Sequence, residues 1–134
     1  MHGIPFNPEL IALGNFDRAA AERSILALME AGVEFDAVFS GDDEAALGVY
    51  RALQVRERRI PQDVSLVGFD DQPFAPFLSP PLTTVRVPIE QVGREAVHQL
   101  VHLIRGEPAD SLTLLRTEVI FRSSCGCVER RQVE

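Results

Sequence analysis

Two acidic pairs hold most of the chemistry this sequence offers, Asp42-Asp43 and Asp70-Asp71. Each follows a short apolar run, so each is expected at the carboxyl end of a β-strand, where open α/β sheets place their ligands. Carboxylates there can accept hydrogen bonds from a hydroxyl-rich small molecule without any catalytic step. They could also serve as acid and base, or hold a magnesium or calcium ion. No candidate nucleophile accompanies them, and no nucleophile elbow, phosphate-cradling glycine loop or dinucleotide fingerprint is present. The expectation is a binding module, not an enzyme, with no cofactor. The local alternative is plain: an aspartate before a helix caps it, and capping accounts for one of Asp42 and Asp43.

Other candidates are weaker. Phe16 follows an apolar run and either stacks on a flat ligand or acts as a hydrophobic staple for the next helix. His98 and His102 lie four apart, a spacing that can hold a metal, but no third ligand stands near them and they flank an apolar helix face. A solvated flank is the reading adopted. Cys125 and Cys127 are separated by one residue, which makes a mutual disulfide awkward, and two thiolates do not complete a zinc site.

Composition narrows the classes further. With 134 residues and 46% hydrophobic content, the chain suits one domain or one lobe of a larger protein. A net charge of −7 argues against a grip on nucleic acid within this segment. No stretch approaches a membrane span, and the first residues lack a secretory pattern, so a cytoplasmic protein is expected.

The elements that must position these residues alternate. Leu10-Ile-Ala-Leu13 predicts a strand, and Asp17 caps a helix with Ala21, Ile25, Leu28 and Met29 inward, stopped by Gly32. Phe35–Phe39 predicts the second strand. A helix from about Glu44 to Val55 follows, with Ala46, Leu47, Tyr50 and Leu53 inward. Val64-Ser-Leu-Val67 predicts a central strand ending at Gly68. This β-α-β-α-β order implies a parallel sheet with right-handed crossovers. Leu82–Val87 is extended, and Pro88 opens a strongly amphipathic helix to about Gly106, with Ile89, Val92, Ala96, Val97, Leu100, Val101 and Ile104 on one face. One or two strands follow over Leu112–Leu115 and Val119–Phe121.

Five stretches in order carry a resemblance: Phe35-Asp-Ala-Val-Phe39, Asp43-Glu-Ala-Ala-Leu-Gly48, Arg59-Ile-Pro-Gln-Asp-Val-Ser-Leu-Val-Gly-Phe-Asp-Asp71, Ser79-Pro-Pro-Leu-Thr-Thr-Val-Arg86 and Glu90-Gln-Val-Gly-Arg-Glu-Ala96. From about Phe16 to Arg122 the chain resembles the effector-binding domain of the lac/galactose repressor family of bacterial transcription regulators. The resemblance implies a three-layer α/β lobe of the type I periplasmic-binding-protein-like fold, in its C-terminal portion. It implies a homodimeric regulator that takes a sugar-like effector and meets DNA through a helix-turn-helix domain outside this chain. By position, Asp70 resembles the aspartate that binds effector hydroxyls, Phe16 the aromatic wall of the cleft and Ile89 another wall residue. Asp42 stands where the family usually has asparagine, which changes the hydroxyls or charges accepted.

The implied division is residues 1–88 for the C-terminal lobe with its crossover strand and 89–105 for a helix that packs in the N-terminal lobe. Residues 106–127 are the return strands and 128–134 a tail or linker. The helix would then be orphaned here and covered by another chain, by a swap, or by refolding onto its own lobe. The ending Phe121-Arg-Ser-Ser-Cys-Gly-Cys127 also resembles sensor modules that continue into a kinase or diguanylate cyclase, which is the alternative function.

Overall fold

The computed structural model describes residues 5–127, so the tail expected over 128–134 lies outside the described residues. Helix α1 spans Arg18–Glu30 and starts where Asp17 accepts a hydrogen bond from the Ala20 amide at 2.7 Å. Gly32, at positive φ, ends it as expected. Strand β1 covers Ala37–Phe39, helix α2 Asp43–Val55, β2 Ser65–Phe69 and β3 Thr83–Arg86. Helix α3 then runs Ile89–Ile104 and β4 covers Glu118–Ile120. The sheet order is β1-β2-β3-β4. Strands β1, β2 and β3 are parallel, with Val38 opposite Leu66 and Gly68 opposite Thr84, whereas β4 is antiparallel to β3.

The α/β class and the central place of β2 agree with the expectation. Helices α1 and α2 pack on each other closely enough that a Cβ on Gly48 would meet the Arg18 carbonyl oxygen at 2.1 Å. Glycine is required at that crossing because only hydrogen fits between the backbones. Ile25, Val49, Leu53, Val64, Leu66 and Leu82 are buried together with Ala46, Ala52 and Ala75. Each large aliphatic side chain in this cluster contributes roughly 1.5–3 kcal/mol by leaving water. Across the loop after β2, the Tyr50 hydroxyl donates to the Pro80 carbonyl.

Two expectations fail. Leu10–Leu13 is not a strand. Asn7 and Pro8 start a single 3₁₀ turn over Pro8–Leu10, and the Leu13 carbonyl then accepts from Ser24 on α1, so the extended residues after the turn do not pair with β1. Apolar content alone did not secure a ladder partner. Gly68 does not end β2, which runs on to Phe69. A Cβ on Gly68 would stand 2.2 Å from Asp43 Oδ1, so the glycine admits a carboxylate against the strand. Of the one or two late strands expected, one forms, β4, and Leu112–Leu115 is not a strand.

Helix α3 forms as its pattern predicts, yet it has no buried residue. Its sheltered side carries polar Glu95 and Gln99, and Gln99 accepts from the Asp110 amide at 2.9 Å. Val97, Leu100, Leu103 and Ile104 are all more than half exposed. The helix has not refolded onto its own lobe.

Candidate functional site

Because β1, β2 and β3 run parallel, their carboxyl ends share one edge of the sheet. Ser40-Gly41-Asp42 leaves β1 there, Asp70-Asp71 leaves β2, and Val87-Pro88-Ile89 leaves β3. Phe16 joins from the loop before α1, its ring Cε1 3.5 Å from where a Gly41 Cβ would stand. At 75% exposure Phe16 is no staple buried under the helix. Phe16, Asp42 and Asp70 are thus gathered by the loops at this edge. Ile89 lies at the start of α3, lining a separate shallow hollow with Val87, Gln91 and Arg94.

The backbone here is unusual for residues with side chains. Asn15 and Phe16 have φ of 49° and 54°, and Asp70 and Asp71 have φ of 102° and 53°. Non-glycine residues in such conformations cost on the order of 1–3 kcal/mol each and cluster at ligand sites. The two strained pairs lie in the loops that carry Phe16 and Asp70.

The four aspartates divide into different tasks. Asp42 is the N-cap of α2, accepting from the Ala45 amide at 2.7 Å. Asp43 is fully buried, accepting from Thr84 Oγ1 at 2.7 Å and the Gln72 amide at 2.8 Å. Burial pushes its carboxyl above the ordinary range, against hydrogen bonds from Thr84, Gln72 and the Phe69 amide, and the nearby Asp70 charge adds to the rise. Asp71 accepts from Arg86 Nε at 2.7 Å and Arg122 Nη2 at 2.6 Å. Burial pushes the Asp71 carboxyl up, but the hydrogen bonds and charges of Arg122 and Arg86 outweigh it and hold it below the usual range. Asp70 is half-buried, donates its amide to the Val85 carbonyl at 2.8 Å, and its carboxylate takes no hydrogen bond among the described residues.

The sequence reading missed Asp43, Thr84, Arg86 and Arg122 as the frame of this edge. The adjacent threonines before Arg86 offered no sign that one faces a buried carboxylate. A cavity of about 520 Å³ lies beside β1 between residues 10–16 and the strand, walled by Ile25, Phe35, Val38 and Val49. Phe16 lines it, and Asp42, Asp70 and Ile89 do not. Among the described residues no three His, Cys, Asp or Glu side chains group to hold a metal, and His102 pairs with Glu107 at 3.0 Å. Cys125 and Cys127 are not disulfide-bonded.

A mainly parallel open sheet with strained, carboxylate-bearing loops along one edge defines an α/β domain of the class whose ligands sit at the carboxyl ends of the strands. The family model described as a periplasmic binding protein-like domain matches residues 1–125, and the chain belongs to that family, in the form found in LacI-type transcription regulators. It is 42% identical over 102 residues to the lactose operon repressor of Rhizobium radiobacter, covering 76% of this chain and 88% of that one. It is 34% identical over 105 residues to the HTH-type transcriptional regulator AscG of Escherichia coli, covering 78% of this chain and 31% of AscG. The solved structure of the transcriptional regulator CelR with cellobiose matches with a TM-score of 0.83 at 34% identity, covering 91% of this chain and 38% of CelR. The chain thus spans about a third of the length of regulators such as AscG and CelR. No described helix is long and apolar enough to cross a membrane.

Proposed function

We propose that this chain is the C-terminal lobe of the effector-binding domain of a LacI-type transcription regulator, and that it binds a sugar-like small molecule without transforming it. The observation that carries this reading is Asp70, whose carboxylate takes no hydrogen bond among the described residues, held at positive φ at the carboxyl edge beside the Phe16–Gly41–Asp42 corner. In this reading Asp70 accepts effector hydroxyls, Phe16 stacks on the apolar face of the ring, and Ile89 supplies a wall from the crossover. Asp42 offers its second oxygen, since its helix cap engages only one. The known regulators similar to this chain favour transcriptional control over a sensor with a kinase or cyclase output. DNA contact falls to another segment, in the cytoplasm, because the charge of −7 repels phosphate.

The uncovered apolar face of α3 supports the division at residue 88. In the intact protein that face is covered by the remaining lobe, and effector closes the two lobes and changes the geometry of a homodimer. The test is calorimetric titration of the intact regulator with cellobiose, lactose and ribose. One of them, or a related sugar, is expected to bind, and Asp70→Ala to weaken it about 10- to 100-fold, the loss of one or two hydrogen bonds to a charged acceptor. Equal affinity for the variant removes Asp70 from the site, and failure of every sugar removes the sugar reading.

A further inference from the structure

We infer that Asp71 is a positioning residue for this site: clamped between Arg86 and Arg122, it fixes the turn that presents Asp70. The inference rests on the reading of Asp70 as the effector acceptor, and it adds a role for three residues that do not themselves face the ligand.

The turn is held from every side except the Asp70 carboxylate. The Asp70 amide is tied to the Val85 carbonyl of β3, and the Gln72 amide to buried Asp43. Asp71 between them has a carboxylate only 8% exposed, with one oxygen on Arg122 at 2.6 Å and the other on Arg86 at 2.7 Å. Arg122 is itself fastened, its Nη1 donating to the Leu82 carbonyl at 2.7 Å, and its side chain is 14% exposed. Two successive aspartates at positive φ are unfavourable for residues with a Cβ, and such a turn persists only where its surroundings over-determine it. Two charge-assisted bonds from fixed guanidinium groups are the strongest restraint on it.

The placement of the two arginines adds a second observation. Arg86 ends β3 and Arg122 lies two residues after β4, so they stand at the strands that lead into and out of the excursion of residues 87–117 that contains α3. Arg86 also reaches Glu118 on β4 at 3.7 Å. Asp71 therefore ties the Asp70 turn to both strands that lead to and from α3. A shift of that excursion relative to the sheet is carried to Asp70 through this clamp, and effector at Asp70 favours one setting of it.

The first measurement is the backbone of Asp70 by NMR on this chain, where positive φ gives a strong intraresidue amide–Hα cross-peak. Asp71→Asn and, separately, Arg86→Gln are expected to weaken that peak and shift the Asp70 amide. Arg86 is half exposed, so its variant tests the clamp even if burying an unpaired Arg122 unfolds the first. An unchanged Asp70 peak in a folded variant overturns the inference. The second measurement is a double-mutant cycle on sugar affinity in the intact regulator. Asp71→Asn is expected to weaken binding about tenfold alone and less than about twofold in the Asp70→Ala background, because coupled residues are non-additive. Equal losses in both backgrounds would make Asp71 merely structural. If Asp70→Ala leaves affinity unchanged, the reading of Asp70 fails, while the NMR result still decides the clamp.

Discussion

Replacing Gly68 with alanine inserts one methyl group where the structure has no room. The new Cβ would lie 2.2 Å from Asp43 Oδ1 and 3.0 Å from Leu82 Cδ2. Leu82 is fully buried and the Asp43 carboxylate has no solvent to enter, so neither yields freely. Overpacking of this kind costs about 1–3 kcal/mol. Moving Asp43 also strains its bonds to Thr84 and the Gln72 amide, and a buried polar group left unsatisfied costs about 1–3 kcal/mol more. The expected loss is about 2–6 kcal/mol, a large part of the roughly 5–15 kcal/mol that holds a domain together. Urea unfolding followed by far-ultraviolet circular dichroism measures it. Gly93→Ala is the control: nothing lies within 4 Å of that Cβ, and alanine within a helix is expected to stabilise by up to about 1 kcal/mol. Adding Asp43→Ala to Gly68→Ala is expected to cost less than Asp43→Ala alone, because the clash has gone. A loss below about 1 kcal/mol for Gly68→Ala, or simple additivity of the pair, would refute the argument that this glycine exists to admit the carboxylate.

Two further outcomes follow from other parts of the molecule. Asp71 has its folded pKa below the unfolded value, so the unfolded chain takes up that proton first as pH falls; the stabilisation is present above about pH 4 and is lost below it. Asp71→Asn is therefore expected to flatten the decline of the urea midpoint between about pH 5 and pH 2; Asp63, also held down by Arg59, leaves part of that decline in place, and an unchanged acid limb counts against the Arg122 and Arg86 pairing. The exposed face of α3 is expected to make this chain associate in a light-scattering concentration series, and Val97→Glu with Leu100→Glu to return it to monomer; a wild-type monomer at every concentration would show that this face does not drive association.

How much was legible in the sequence differs from element to element. Val64 to Val67 announced the central strand because a short, mostly apolar run with two valines between proline and glycine has few other uses. The amphipathic period from Ile89 to Ile104 gave the helix almost to the residue, since that period depends only on local spacing. What covers its apolar side is a matter of another surface, which spacing does not encode. Leu10–Leu13 shows the reverse failure, for apolar residues signal burial and not a pairing partner. The candidates Phe16, Asp42 and Asp70 came from position at strand ends, and the fold does gather them at one edge. Ile89 was placed by resemblance alone, and within this chain it stands apart. The structural tasks of Asp43 and Asp71 were hidden because their partners, Thr84 and Arg122, lie 41 and 51 residues away in the chain.

The contact between Gly68 and Asp43 has a consequence for how this sequence can change over time. Any side chain at position 68 would have to evict the carboxylate, and without that carboxylate Thr84 and the Gln72 amide lose their acceptor. A first substitution at either position meets a penalty that only a matching change at the other relieves. Across relatives, positions 43 and 68 are therefore expected to drift as a pair or to stay fixed together, a covariation set by a gap one hydrogen atom wide.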